Sequence, residues 1–442
     1  MPVGVKNTTR IFARSPYYIN CAPASGKTIS TAEIVVSMLE SSNSLTVPPT
    51  TTLKSYTLSK SNTIDGIIVF DVAPLVADFF DHDATQFDTT ADTTHPNYYQ
   101  SFFVYVTKTV THTDATTTVT NQYYSAWDGF SEYKDGVNYL PSTGATGNYG
   151  NPDWNNGGTT YPYQTDVTIM ATNCYRQIGE NSYAVLGLFM GGFDTQNLTL
   201  DTLLRIKFGA GSENWKTDSS YSFSDIYDIT IDDVQNRFGE PNKYALYIPI
   251  GKKNLGANYQ DTDLIQVQHT MRLTDITGAP TSGTNDLDSV NDQPVFQYHV
   301  ICEPKYNVID CWFINKWGAW DCFSFLKRSD ESLKTSDSMY NSSIGEVVSE
   351  AYTYADTKHI SRRFNTQGNK SIKVNTGFVP ESFNLLLEEL MVSETIYLII
   401  NDTIHPVNID SKSRKLEKNV NKSMINYTLD FNFAYDKIQN LV

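Results

Sequence analysis

The stretch from Tyr298 to Leu326, YHVICEPKYNVIDCWFINKWGAWDCFSFL, most constrains what this chain can fold into. It holds three of the six tryptophans, Trp312, Trp317 and Trp320, and three of the five cysteines. Two apolar runs, 308–314 and 320–326, flank Asn315-Lys316-Trp317-Gly318. β-formers on either side of a short turn read as a hairpin, with Gly318 free to take a positive φ. Tryptophan and phenylalanine carry large apolar areas, so this hairpin is expected to be the densest core of the C-terminal half. That is a statement about packing, not chemistry.

The rest of the chain reads as mainly β. Only 19% of its 442 residues are charged, and Thr, Asn, Ser and Tyr are abundant, which suits strands with long polar loops better than helical bundles. The length implies two or three β-sandwich-like domains, the C-terminal one α+β with one amphipathic helix. The expected organisation is an N-terminal β-sandwich over 1–125, a Gly/Asn/Tyr-rich loop region over 126–165 and a second β-rich domain over 166–275. A polar linker over 276–294 then leads to the α+β domain over 295–442. In the first domain, 73–80 predicts a short helix with Pro74 in its first turn, and 102–110 and 116–124 predict a Thr-rich hairpin around Thr113-Asp114-Ala115. The segments 67–80 and 227–238 share a strand–Asp–amphipathic grammar ending in Phe, which hints at duplicated sandwiches. In the last domain, the polar stretch 328–371 has room for another hairpin, and 372–375 predicts a strand followed by a turn. A helix over 380–392 gathers Phe383, Leu386, Leu387 and Leu390 on one face. Asn401-Asp402 then marks a hairpin turn.

Lys and Arg number 33 against 49 Asp and Glu, giving a net charge of −16. That excludes a broad nucleic-acid-binding surface, which needs cations to neutralise phosphates. A local basic patch, Lys412, Arg414, Lys415, Lys418 and Lys422, is the exception. An acidic wall also suits a channel that DNA slides past, because repulsion prevents sticking. The five cysteines, at 21, 174, 302, 311 and 322, form no C-x-x-C pair, so they read as reduced, buried thiols. A disulfide among Cys302, Cys311 and Cys322 stays open. The longest apolar stretches, 183–193 and 396–400, fall short of the roughly 20 residues that span a bilayer, and the N-terminus has no signal-peptide core. A soluble protein made in a cytoplasm, without membrane insertion, is expected.

Candidate chemistry is thin. Cys21-Ala-Pro-Ala-Ser-Gly26-Lys27-Thr28 imitates a phosphate-binding loop, with Cys21 in place of the first glycine, and IIVFD (67–71) imitates the strand that ends in a magnesium-binding aspartate. Pro23 removes an N–H that phosphate would need, and Ile34-Val35-Val36 favours strand over the required helix, so a Ser/Gly hairpin loop is the better reading. The acidic sets Asp261/Asp263 and Asp286/Asp288/Asp292 lack the Gly and Glu of a calcium loop and read as solvated carboxylates. Glu388 and Glu389 read as the solvated side of their helix. The seven histidines form no H-x-x-x-H, and no G-x-S-x-G occurs. No catalytic, cofactor-binding or metal-ligating residue is assigned, and no enzyme is expected. Tyr and Trp within 123–163 could stack on sugars or serve as loop anchors and subunit contacts, the latter favoured.

Several stretches together resemble virion structural proteins, of the tail or neck, from tailed phages of Bacteroidetes hosts, including crAss-like phages. They are Arg14-Ser-Pro-Tyr-Tyr, Tyr56-Thr-Leu-Ser-Lys60, Val69-Phe-Asp-Val-Ala-Pro-Leu-Val76 and Asp128-Gly-Phe with Lys134-Asp-Gly-Val-Asn138. The C-terminal side adds Phe313-Ile-Asn-Lys-Trp-Gly-Ala-Trp320, Asn375-Thr-Gly-Phe-Val-Pro-Glu381, Pro406-Val-Asn-Ile409 and Asn426-Tyr-Thr-Leu-Asp-Phe-Asn-Phe-Ala434. These are turn and core positions at both ends of the chain. The resemblance implies a tail, neck or baseplate component of the virion. Such a component would assemble with copies of itself into a ring, beside neighbouring virion proteins, with DNA passing through unbound. It implies no catalytic residues. The competing expectation is a receptor- or carbohydrate-binding virion protein that uses the aromatics of 123–163. A tail-associated hydrolase would need a cleft with close carboxylates.

Overall fold

The computed structural model describes residues 10–39, 52–61, 63–64, 66–80, 101–133, 167–169, 175–190, 200–211, 221–230, 245–255, 264–273, 296–302, 305–342, 345–354, 357, 359–410 and 424–436. The chain is mainly β, with several sheets and three helices among these residues.

The N-terminal sheet has five strands in the order Arg10–Phe12, Thr117–Trp127, Ser101–His112, Ile29–Leu39 and Thr52–Lys60. Ile29–Leu39 turns Ile34, Val36 and Met38 inward in strict alternation, the signature of a strand with one face on a core. A second layer covers that face: the antiparallel pair Tyr18–Cys21 and Ile68–Asp71, and the helix Ala73–Ala77 with Pro74 in its first turn. Ile19, Cys21, Phe70 and Val76 there share one core with Ile34, Val36, Val104 and Val106. The Thr-rich hairpin forms as expected, turning at Ala115 with φ 62°.

The middle of the chain contributes two sheets. Val185–Met190 pairs with Ala245–Pro249 on one side and Val167–Ile169 on the other. The second sheet runs Tyr221–Thr230, Leu200–Gly211, Leu264–Leu273, Phe296–Ile301 and Tyr175–Gly179, its last pair parallel. Phe296–Ile301, which follows the expected 276–294 linker in sequence, is hydrogen-bonded to Leu264–Leu273. The linker itself, the 227–238 repeat beyond Thr230, and the Asp261/Asp263 and Asp286/Asp288/Asp292 sets lie outside the described residues. So do Cys174, most of 126–165 and the basic patch Lys412, Arg414, Lys415, Lys418 and Lys422.

The C-terminal sheet has seven strands in the order Trp320–Phe325, Ile309–Ile314, Ile396–Ile400, Thr403–Ile409, Ile425–Asp436, Ser361–Val379 and Asp330–Asn341. The helix Phe383–Val392 lies on one face, and its Phe383, Leu386, Leu387 and Leu390 are all buried there beside Phe313, Phe323 and Phe431. Asn401 and Asp402 take φ 49° and 60°, the paired positive values of a tight hairpin turn. The turn expected after Asn375 is absent. The strand runs on to Val379 and absorbs the irregularity as a bulge between Asn375 and Phe378, with Gly377 at φ 74° and its N–H bound by Asn375 Oδ1 at 2.8 Å. Asn and Gly serve bulges as readily as turns, and the partner strand decides which forms.

The tryptophan hairpin is Ile309–Ile314 and Trp320–Phe325, and all twelve of its strand residues are buried. Gly318 sits in its turn at φ 78°, and a Cβ there would stand 2.8 Å from the carbonyl carbon of Asp128. Gly26 has the same backbone, φ 75°, with open space around it. Gly318→Ala should therefore cost about 3 kcal/mol, strain and overpacking combined, and Gly26→Ala about 1 kcal/mol, strain alone. Urea denaturation of both variants checks the difference; equal losses would show that the close approach to Asp128 carries no weight.

Candidate functional site

The tryptophan hairpin brings all three regions together. In its turn, Asn315 Oδ1 accepts the backbone N–H groups of Trp317 and Ala319, both at 3.0 Å, which shapes the loop from inside. The N-terminal region closes over the outside. Phe130 N–H donates to Lys316 O at 2.8 Å, Phe12 meets Trp317 edge-on at 6.2 Å, and Lys316 Nζ pairs with Glu132 at 3.3 Å. Arg14 lies 3.5 Å from Asp128 and donates to Val392 O at the end of the helix.

The middle region closes over the back. Arg176 Nε and Nη2 donate to the two oxygens of Asp321 at 2.9 and 2.6 Å, a bidentate ion pair with both side chains at 5% exposure or less. Burial opposes the guanidinium charge, but Asp321 outweighs it and raises the pKa of Arg176 further. Asp321 also accepts from Cys322 N–H at 2.9 Å and Asn315 Nδ2 at 3.4 Å. One residue along, Gln177 Nε2 donates to Ser324 O at 3.0 Å and Thr376 O at 2.7 Å. Neither Arg176 nor Gln177 was legible as a functional position: CYRQIG has no hydrophobic period, and its partners are 145 to 199 residues away.

Beside this contact lies a cavity of about 320 Å³, lined among others by Glu180, Ser182, Lys253, Cys302, Asp310 and Asp402. Lys253 bridges it by an ion pair to Asp402, and Lys252 pairs with Glu180 at 3.5 Å. Asp310 is buried at its wall. It accepts from Ser324 Oγ at 2.6 Å, and Ser324 in turn meets Ser182 Oγ at 3.2 Å and Gly179 N–H at 3.1 Å. Burial pushes the Asp310 carboxyl up to about 6, against these hydrogen bonds. A carboxylate so placed can hold a proton near neutrality. The serine hydroxyls face that carboxylate rather than a basic nitrogen, so the arrangement joins strands and does not activate a nucleophile.

The sequence candidates fare unevenly. Cys21 ends a strand and is buried; the loop after it uses Ala24 N–H on His112 Nε2 at 3.1 Å, and Lys27 Nζ pairs with Asp114 at 3.1 Å. The strand Ile29–Leu39 follows at once, so no helix follows the phosphate-loop likeness; the loop is not the expected hairpin either, because Tyr18–Cys21 pairs with Ile68–Asp71 and Ile29–Leu39 lies in the other layer, in the five-stranded N-terminal sheet. Thr116 first and Lys27 second hold the Asp114 carboxyl below its ordinary range. Cys311 and Cys322 are reduced and face opposite sides of the hairpin, because Cys311 stands opposite Phe323 and Trp312 opposite Cys322. That closes the disulfide between them. Burial pushes both thiols up, while Cys302 is exposed.

Glu388 is exposed as expected, but Glu389 is not: it is 5% exposed and accepts from Lys316 N–H at 3.5 Å. It flanks the apolar face, and the hairpin turn lies over it. Asn384, on the opposite flank, is likewise buried and accepts from the Tyr427 hydroxyl. Of the aromatics in 123–163, Tyr124 and Trp127 are core and unavailable for stacking, whereas Tyr133 is fully exposed. Among the described residues no cluster of His, Cys, Asp and Glu could hold a metal ion, and no helix is long and apolar enough to cross a membrane.

No family model matches the chain, and no curated protein matches it. Two solved structures of Escherichia coli alpha-2-macroglobulin, in its native conformation and activated by porcine elastase, are 10% and 8% identical. They align over 84% and 96% of this chain with TM-scores of 0.16 and 0.17, too low to bear on fold or function. The chain spans 21% and 43% of the lengths of those proteins.

Two outcomes follow from the interior chemistry. Arg176→Met leaves Asp321 charged and buried and should cost about 3–5 kcal/mol, whereas adding Asp321→Leu should recover much of that loss. Chemical denaturation of the three variants measures it; a double variant no better than the single would break the account of the pair.

The second outcome concerns pH. Asp310, raised to about 6, weakens the fold above that pH, and the cost disappears as pH falls towards its unfolded value near 4. Burial lowers His299 to about 4, so its contribution runs the other way, lost as pH falls from about 6.5 to 4. Asp310→Asn should gain up to about 3 kcal/mol over the wild type at pH 8 and nothing at pH 4, and His299→Gln should gain only on the acid side. Stability curves across pH that are parallel for all three proteins would contradict both assignments.

Proposed function

We propose that this chain is a structural protein of a phage virion, part of the tail or head–tail connector, which assembles with its own copies into a ring around the DNA channel. The observation that carries the reading is the outer edge of the seven-stranded sheet. All twelve residues of Asp330–Asn341 are exposed, and from Thr335 onwards the strand pairs with Ser361–Gly368 as a two-stranded arm beyond the last pairing of Ile425–Asp436. A soluble monomer has little use for a long open edge bearing Leu333, Met339 and Tyr340, since such edges invite pairing and aggregation. A subunit that completes its burial in an assembly has use for both.

The interior supports the same reading. Polar side chains in the core are used to lock three regions into one block, which suits a part that transmits load. The net charge of −16 suits a lumen that DNA passes without binding. The family resemblance in Phe313–Trp320 and Asn375–Glu381 falls on the hairpin turn and on the bulge, two positions where backbone geometry is most demanding.

The mass of the full chain in solution, followed by negative-stain class averages, tests the proposal. A closed ring with an open centre is expected. A compact trimer would instead favour a receptor-binding protein, and a monomer at every concentration tried would remove self-assembly as the basis of the reading.

A further inference from the structure

We infer that the cavity between the middle and C-terminal regions is a binding site for a small aliphatic amine, whose ammonium sits against Asp310. The inference does not depend on self-assembly. Two buried polar side chains build the site: Asp310, 7% exposed, and Ser182, 2% exposed, both line the cavity. Asp310 accepts from the hydroxyls of Ser182 and Ser324 and from the backbone N–H of Tyr183, all neutral donors. Among the described residues no cation stands within ion-pair distance of it.

The charges around the cavity leave this carboxylate over. The walls carry three carboxylates, Glu180, Asp310 and Asp402, and one ammonium, Lys253. Lys253 pairs with Asp402, and Glu180 is met by Lys252 at 3.5 Å. Two of the three carboxylates thus have a cation, and Asp310 has only neutral donors. Burial without a counter-ion is why its carboxyl is pushed up to about 6. A single positive charge brought into the cavity would restore the balance.

The donor set, the walls and the volume narrow the occupant further. Calcium takes about six to eight oxygens and magnesium a near-ideal octahedron, yet among the described residues no cluster of His, Cys, Asp and Glu could hold a metal ion. Ile301, Val308 and Ile399 line the same space, which suits an occupant with a hydrocarbon part as well as a charge. The volume of about 320 Å³ is at the small end of ligand cavities, roughly 300–1,000 Å³. An ammonium on a short alkyl stem meets all three conditions: N–H donors for Asp310, methylenes for the aliphatic wall, and a size that fits.

Butylamine is the probe, with butanol as its neutral isostere and magnesium chloride as an inorganic cation. Saturation-transfer NMR on the full-length chain reads binding directly. Cys302, an exposed thiol on the cavity wall, reads occupancy through its rate of alkylation by iodoacetamide, followed on its own peptide by mass spectrometry. Butylamine should bind saturably and slow Cys302; butanol and magnesium should do neither. Asp310→Asn keeps the shape, removes the charge and is expected above to be the more stable protein at pH 8. It should bind butylamine at least about tenfold more weakly. Asn307→Trp, at an exposed position on the cavity wall, should block entry.

Wild-type affinity should fall about tenfold from pH 7 to pH 5 as Asp310 takes up its proton, and the fall should vanish in Asp310→Asn. The neighbouring thiols of Cys311 and Cys322 stay protonated there, because burial pushes both up. Lys253, Glu180 and Asp402 are common to both proteins, so the difference between them belongs to Asp310.

If butanol binds as tightly as butylamine, or Asp310→Asn binds as tightly as the wild type, the carboxylate does not select the ligand and the inference fails. If magnesium slows Cys302 as butylamine does, the site takes any cation and the amine assignment falls. If Asn307→Trp binds undiminished, the amine sits elsewhere. If butylamine changes neither readout at any concentration, the cavity holds water only.

Discussion

The buried pair of Arg176 and Asp321 is the interaction on which the rest of the structure depends. Two charges at 5% exposure or less have lost their water, and neither could stay there alone. The pair therefore does more than add stability: it makes one arrangement of the middle and C-terminal regions acceptable and others costly. A strand slipped by one residue would turn Arg176 away from Asp321 and replace it with a neighbour that cannot neutralise it. Gln177, the next residue along its strand, repeats the constraint by bridging two carbonyls of the C-terminal region, Ser324 O and Thr376 O.

Seen from the hairpin, this explains why every residue of Ile309–Ile314 and Trp320–Phe325 is buried although Trp320–Phe325 is the last strand of its sheet. An edge strand is normally a liability. Here the helix Phe383–Val392 covers one face, the strand Tyr175–Gly179 approaches the other, and the N-terminal region caps the turn through Phe130 and Phe12. The hub has little tolerance because its close approaches are backbone against backbone. Gly318 faces Asp128, and Gly129 faces Lys316 O, where a Cβ would stand at 2.7 Å. The two glycines come from different regions, and each lets the other's backbone come near.

What the sequence made legible was local. The tryptophan hairpin, the turn at Asn401-Asp402 and the helix face of Phe383, Leu386, Leu387 and Leu390 each announce themselves within a dozen residues, by period and by turn chemistry. What it concealed was pairing at a distance. Tyr175–Gly179 is a strand whose inward groups are polar, so hydrophobic alternation, the usual signal, is missing. Glu389 read as part of the solvated side of an amphipathic helix; it is dry because the hairpin turn arrives from elsewhere in the chain, as Tyr427 does over Asn384. Asp310 stands in an otherwise apolar run, IDCWFI, and only the arrival of Ser182 and Ser324 makes its burial tolerable.

The seven-stranded sheet then has two ends of opposite character. At one, six consecutive residues of Trp320–Phe325 are buried on both faces; at the other, twelve consecutive residues of Asp330–Asn341 are exposed on both. Only four residues of chain, 326–329, separate them in sequence, yet they lie at opposite edges of the sheet. The difference is composition: WDCFSF has the apolar area to draw other regions onto it, and DESLKTSDSMYN does not. A polar strand gains little by burying its faces, so its stability must come from its ladder and cross-strand pairs such as Lys370 with Glu331 and Arg363 with Asp337. Those contacts hold the ribbon straight without a core. A ribbon held in that way can project from a rigid block and still present a defined edge, which is the physical requirement for joining one block to the next.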